Sequence, residues 1–248
     1  MTSIALQFKE TMQAKKAAAQ QDKLAESYEA ESIRQTAEDY EQFQLLVNAL
    51  EQDQKKLSGL APGDKDKLRE RELIPKYLPI AEDYLESGDS YRNPVLVEVI
   101  IMLMDVGNIP KALELAYPAL EQKQPMPQRF KKVNLPTFVC DNVLIWVNAQ
   151  LARGNEVDPW FSDTFATMLE DNWKVPREVV AKFHKTAGDI ALKQNQLEHA
   201  LEHFVRATEI DPAGAKCSTK INQLKKKLDN PGNYSVNPAK PAHQAGKE

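Results

Sequence analysis

The sequence is poor in several things at once, and each shortage removes a class of function. It has two cysteines in 248 residues, Cys140 and Cys217, with no CxxC and no metal-ligand spacing. That excludes a disulfide framework or a zinc ribbon and predicts two ordinary thiols in a reducing compartment. No apolar run is long enough to span a bilayer: the longest, PVLVEVIIMLMDVG, is broken by Glu98 and Asp105. The opening MTSIALQFKE lacks a basic stretch followed by an apolar one, so no secretory signal is read there. A soluble, cytoplasmic protein with no membrane partner is expected. No G-x-x-x-x-G-K-[ST] phosphate loop is present, so no intrinsic ATPase is expected. Nor is there an excess of positive charge: the formal net charge is -4. A nucleic-acid role would have to rest on local patches or on several copies acting together.

Glycine and proline are absent from residues 3–57, which are rich in Ala, Gln, Glu and Lys. Such a stretch favours helix. From Ile33, apolar residues recur at Ala37, Tyr40, Phe43, Val47, Leu50 and Leu57, mostly three or four apart, the spacing of one helical face. Gln44, Glu51 and Gln54 interrupt a heptad, so a packed or self-associating helix is expected rather than a long coiled coil. Lys15 and Lys16 lie in a polar stretch that reads either as a frayed helix or as a nucleic-acid arm.

Beyond residue 60, proline sets the punctuation. Pro75 and Pro79 predict a bent helix or two short ones, because each ring removes a backbone donor. Asn93-Pro94 reads as a cap and first-turn proline ahead of a buried helix to about Asp105. A further helix starts at Pro110. Residues 122–136 form a loop with three prolines, four basic residues and no acid. Helices are then expected from Thr137 to Leu151, from Asp158-Pro159 to near Trp173, from Pro176, and from about Ala215 to Leu228. No alternating strand pattern occurs. The predicted fold is all-α: a compact multi-helix domain over 61–228, an N-terminal helical arm or oligomerisation segment over 1–60, and a disordered tail over 229–248.

The phrase LEHALEHFVRATEIDP echoes the tetratricopeptide pattern through His184, Ala187-Gly188, Ala191, Ala200, Phe204, Ala207 and Pro212. GNIPKALELAYPAL repeats the phrase, with Ala112 matching Ala200. The copies are not in tandem, so tetratricopeptide-like hairpins inside a compact fold are expected, not a solenoid.

Chemistry is less legible. His199 and His203 are four apart, but no third metal ligand stands out and the order is not that of a metalloprotease, so surface histidines and no metal site are expected. Asp83, Asp105, Asp141 and Glu170 have no spacing that pairs them for Mg2+. Lys123, Arg129, Lys131 and Lys132 surround Phe130, which combines charges for phosphates with a ring for a base. Five lysines between Lys216 and Lys227 form a second basic stretch, which reads equally as a solvated helix face.

Four phrases in order, RELIPKYLPIAEDYL, MLMDVGNIPKALELAYPALEQKQPMPQRFKKVNLPTFVCDNV, KVPREVVAKFHKTAGDIAL and ALEHFVRATEIDPAGAKCSTKINQLKKKL, resemble the small terminase subunit family of tailed phages, M-protein type. The resemblance covers roughly Arg71 to Leu228. It implies a DNA-packaging subunit in the cytoplasm of an infected bacterium. Such a subunit would bind the cohesive-end site of phage DNA, partner the large terminase ATPase subunit and form homo-oligomers, often rings. Members are also described as terminase endonuclease subunits. No catalytic motif transfers to numbered positions, so this chain would direct cleavage or, alternatively, act as a Mg2+-dependent nuclease itself. A protein-only helical adaptor is the third reading. The DNA-binding candidates are Arg129, Phe130, Lys131, Lys132, Lys15 and Lys16, with no cofactor expected in this chain unless Mg2+ serves a nuclease.

Overall fold

A computed structural model describes residues 40–229, which are all-helical, with no strand among them. The chain divides into two compact units, Met1–Leu68 and Arg69–Glu248. In the first, the described residues are helical over 40–58 (α1) and over Pro62–Leu68 (α2). On α1 the expected spacing is visible as an exposure gradient: Leu50 and Leu57 are buried, whereas Tyr40 is 64% and Leu45 69% exposed. Lys15, Lys16 and the remainder of the arm lie outside the described residues, as does the tail from residue 230.

The second unit opens on a π-helical turn, Arg69–Leu73, that runs directly into α3 (Ile74–Glu86). Pro75 sits in the first turn of α3 and Pro79 lies within it. Of the two expectations, a bent helix or two short ones, the second is corrected: the helical path through both prolines is uninterrupted. A wider i→i+5 turn just ahead of Pro75 makes room where its ring would meet the preceding turn's carbonyl.

Three of the next helices begin by one device. Asn93 caps α4 (Pro94–Asp105), its side-chain oxygen accepting the Leu96 N–H at 3.1 Å. Asn108 caps α5 (Ile109–Glu121) through the Lys111 N–H at 3.4 Å. Asn134 caps α6 (Leu135–Arg153) through the Thr137 N–H at 2.9 Å. Each is followed within two residues by a proline that needs no hydrogen-bond acceptor in the first turn. α4 is the centre of this unit. Every residue from Val95 to Met104 is buried, Glu98 included, and α3 and α5 pack on it.

Beyond α6, the helices α7 (Trp160–Glu170), α8 (Arg177–Lys193), α9 (Leu197–Ile210) and α10 (Ser218–Asp229) follow, and packing is dominated by the α8–α9 pair with α10 against α9. A second small core joins Ala191, Ala200, Phe204, Ala207, Cys217 and Leu224. Phe204 is fully buried against Gly188, where a Cβ would stand 2.8 Å from the ring. The glycine is thus the contact that lets α8 and α9 close on the phenyl group. On the neighbouring face His184 and His203 meet Nδ1 to Nδ1 at 3.1 Å, beneath Phe165. One ring must donate there and the other, unprotonated at Nδ1, accept. Burial, then the neighbouring His203 and Arg206 charges, pull the His184 pKa down to about 4, and burial lowers that of His203 as well.

Two outcomes follow. Phe204→Ala should cost on the order of 3 kcal/mol through lost burial and a cavity, and Gly188→Ala should also destabilise because the new methyl meets the ring; unchanged denaturation midpoints for both would contradict this packing. For the histidine pair, the folded state binds fewer protons than the unfolded chain below the ordinary histidine pKa of 6.5. The pair's contribution is therefore complete above that value and is lost as pH falls toward about 4. Denaturation across this window should show His184→Gln with a shallower acid decline than the parent; equal slopes would remove the pair as the cause.

Candidate nucleic-acid interface

The basic loop after α5 is fixed at both ends by polar groups drawn into the fold. At its start, Lys123 adopts a left-handed φ of 56° and the chain turns back so that Gln124 N–H donates to Ala119 C=O at 2.9 Å. The Gln124 side chain is then buried. Its Nε2 donates to Tyr91 C=O at 2.7 Å, and its Oε1 accepts the Asn93 N–H at 2.9 Å. The Tyr84 hydroxyl completes this cluster, donating to Tyr91 C=O at 2.7 Å and accepting the Tyr91 N–H at 3.2 Å. Burial holds the Tyr84 phenol above its usual pKa, so it stays a neutral donor.

At the far end, a 3-10 turn, Gln128–Phe130, presents Arg129 to Glu98. The guanidinium grips the carboxylate with both terminal nitrogens, Nη1 to Oε1 and Nη2 to Oε2 at 2.6 Å. The Glu98 side chain is 7% exposed against 44% for Arg129. A carboxylate withdrawn from water this far needs such a fork. The same guanidinium lies 4.8 Å from the Phe130 ring centroid, and Phe138 meets that ring edge-on at 5.4 Å. Arg129 is therefore held by the protein's interior, while Phe130 is a braced, half-buried ring.

Together with the turn after α7, this loop encloses a groove of about 1060 Å³. Lys123, Lys131 and Lys132 line one side with Phe130, and Trp173 and Lys174 line the other. Asn134 ties the walls, its Nδ2 donating to Lys174 C=O at 2.7 Å. Asn172, at a left-handed φ of 50°, turns the chain, and Trp173 leans on Tyr117 at 6.3 Å between centroids. Asp171 is the one acid in the lining. None of the four lysines makes an ion pair with a described residue. Of the residues expected to meet DNA, Phe130, Lys131 and Lys132 thus face a groove, and Arg129 is engaged with Glu98. The opposing Trp173-Lys174 was not anticipated. Its signal, an aromatic followed by lysine in DNWKVP, matches the FKK of the loop.

The other candidates stay apart. Asp105 pairs with Arg69 at 2.7 Å, and Asp141 lies 4.0 Å from Lys182. His203 meets His184 rather than joining His199. Among the described residues no group of three or more His, Cys, Asp or Glu is placed to hold a metal ion. On α10, Lys220 is bound to Asp189 beside the Phe204 ring.

Comparison with known proteins bears on this surface. The family described as phage small terminase subunit matches residues 47–178. A probable terminase, endonuclease subunit, of Haemophilus phage HP1 (strain HP1c1) is 37% identical over 141 residues, covering 57% of this chain and 47% of that protein. A terminase, endonuclease subunit, of Escherichia phage P2 is 32% identical over 186 residues, covering 75% of this chain and 73% of that one. The chain thus spans about half the length of the first relative and most of the second. No solved structure matches significantly.

The anchoring of the loop has a measurable consequence. Arg129→Ala leaves the Glu98 carboxylate buried without its fork and should cost on the order of 3 kcal/mol, the low end for a broken buried pair because the guanidinium is partly solvated. Glu98→Leu combined with Arg129→Met should recover most of that loss. If Arg129→Ala unfolds at the same denaturant concentration as the parent, the pair does not hold the loop.

Proposed function

The chain belongs to the phage small terminase subunit family, and from that premise we propose that it serves viral DNA packaging by binding the cohesive-end site of phage DNA. In this reading it directs cleavage there together with the large ATPase subunit, in the cytoplasm of the infected bacterium. The observation that carries the proposal is the groove: four lysines without ionic partners among the described residues, beside two aromatic rings. A chain of net charge -4 repels DNA as a whole, so a local cluster of this kind supplies the attraction.

Lys131, Lys132 and Lys174 neutralise phosphates, and Arg129 acts by holding the loop. Lys15 and Lys16 add a second contact from the arm. Phosphate contacts give affinity without sequence information, so site preference requires base contacts or DNA bending as well. Repetition of the groove in a homo-oligomer, possible as a ring, multiplies a modest patch; the exposed Tyr40 and Leu45 of α1 support assembly through that helix. The two helical hairpins, read as tetratricopeptide-like, are scaffold in this account.

Cleavage by this chain itself, with Mg2+, is the second reading, favoured by the relatives' name of endonuclease subunit. One preparation tests both. Lys131, Lys132 and Lys174 changed together to Ala should weaken cohesive-end duplex binding and flatten its salt dependence by about 0.9 in log–log slope per lost phosphate contact. The same change at Lys225, Lys226 and Lys227 should do less. A larger effect from the second set would move the DNA surface to α10. Duplex cutting by the chain alone in Mg2+ would establish the nuclease reading. Light scattering that reports a monomer for the parent would end the proposal of assembly.

A further inference from the structure

We infer that the groove between the loop and the Asp171–Lys174 turn takes single-stranded DNA, with bases stacked on Phe130 and Trp173 and the backbone on the lysines; this rests on the DNA-binding reading of the same groove.

The first argument is shape. A duplex offers a protein its phosphates and the edges of its bases, while the base faces are covered by their neighbours. Lysines on an open surface suffice for such a ligand. Here they stand around a concavity of about 1060 Å³ that contains two aromatic side chains. That volume is at the upper end of small-ligand pockets and suits a short run of unstacked nucleotides. Rings inside a concavity meet base faces only when the strand is single.

The second argument is preorganisation. Phe130 is held by the Arg129 guanidinium over one face, 4.8 Å from its centroid, and by an edge contact with the Phe138 ring at 5.4 Å. Trp173 is supported by Tyr117 at 6.3 Å and 46°. Both rings are only half buried, so each keeps surface available on the groove side. A ring already held in place loses little freedom when a base stacks on it. The indole N–H of Trp173 hydrogen-bonds to no described residue, which leaves a donor for a phosphate or base oxygen.

The third argument is charge. Four lysines oppose one carboxylate in the lining, from both walls of the groove, as a threaded phosphodiester backbone requires. The amide of Asn134 is already engaged with Thr137 and Lys174. Stacking on the two rings is open to every base, so this contact tolerates changes of sequence.

The test compares a labelled 20-nucleotide thymidine strand with a 20-base-pair duplex on the full chain, using the parent and Trp173→Leu. Leucine retains apolar contact with Tyr117 and removes the stacking face. Strand affinity should fall roughly tenfold and by clearly more than duplex affinity falls, and a strand of another sequence should follow the thymidine strand. Because the variant could lose its fold, a second measurement uses the parent alone: a strand carrying 5-iodouracil is photo-crosslinked and the adducts are mapped by mass spectrometry. Adducts at Trp173 or Phe130 support the inference. Equal losses for strand and duplex in a folded variant, or adducts confined to other segments, overturn it while leaving duplex binding by the lysines in place. Absence of binding to either DNA by the parent overturns both.

Discussion

A carboxylate at the middle of the most apolar helix organises this molecule. Glu98 is buried along with every neighbour from Val95 to Met104. Such a charge costs several kcal/mol to remove from water unless it is met in kind. Arg129 meets it with both terminal nitrogens, and the loop that carries Arg129 is thereby tied to the core. The pair gives one defined placement to a proline-rich segment with little regular structure of its own. The Gln124 cluster does the same at the other end of that segment, with neutral groups in place of charges.

What the loop presents follows from this restraint. With Arg129 turned inward, the next two lysines and the ring between them and the core stand over the groove. Trp173 and Lys174 close it from a turn that Asn134 holds by one hydrogen bond. The composition of the whole chain points away from nucleic acid, and the local surface points toward it. For the packaging role proposed here the combination is physically consistent: overall repulsion limits indiscriminate binding, and the local cluster supplies a defined contact.

The helices were largely legible because their signals are local. Asn93-Pro94 marks the start of α4 and Pro110 that of α5, and the three-four spacing on α1 survives as its exposure gradient. The path through Pro75 was not, because a π turn is a response to crowding that composition does not announce. At the site, Phe130, Lys131 and Lys132 could be chosen from the sequence by charge and aromatic content. The inward turn of Arg129 could not, since its partner is 31 residues away and looked like an interruption in an apolar run. Trp173 and Lys174 escaped for the same reason: the opposite wall of a groove is assembled by the packing of α5, α6 and α7, not by proximity along the chain.

The internally anchored loop and the turn facing it are together proposed as the DNA-binding surface. Hydrogen exchange on the full chain, with and without cohesive-end DNA, tests that assignment most directly. Added protection is expected on amides of residues 123–133 and 171–175, with α10 unchanged and the α4 amides slow in both states. Protection that falls on α10 while both walls of the groove exchange as before would contradict it.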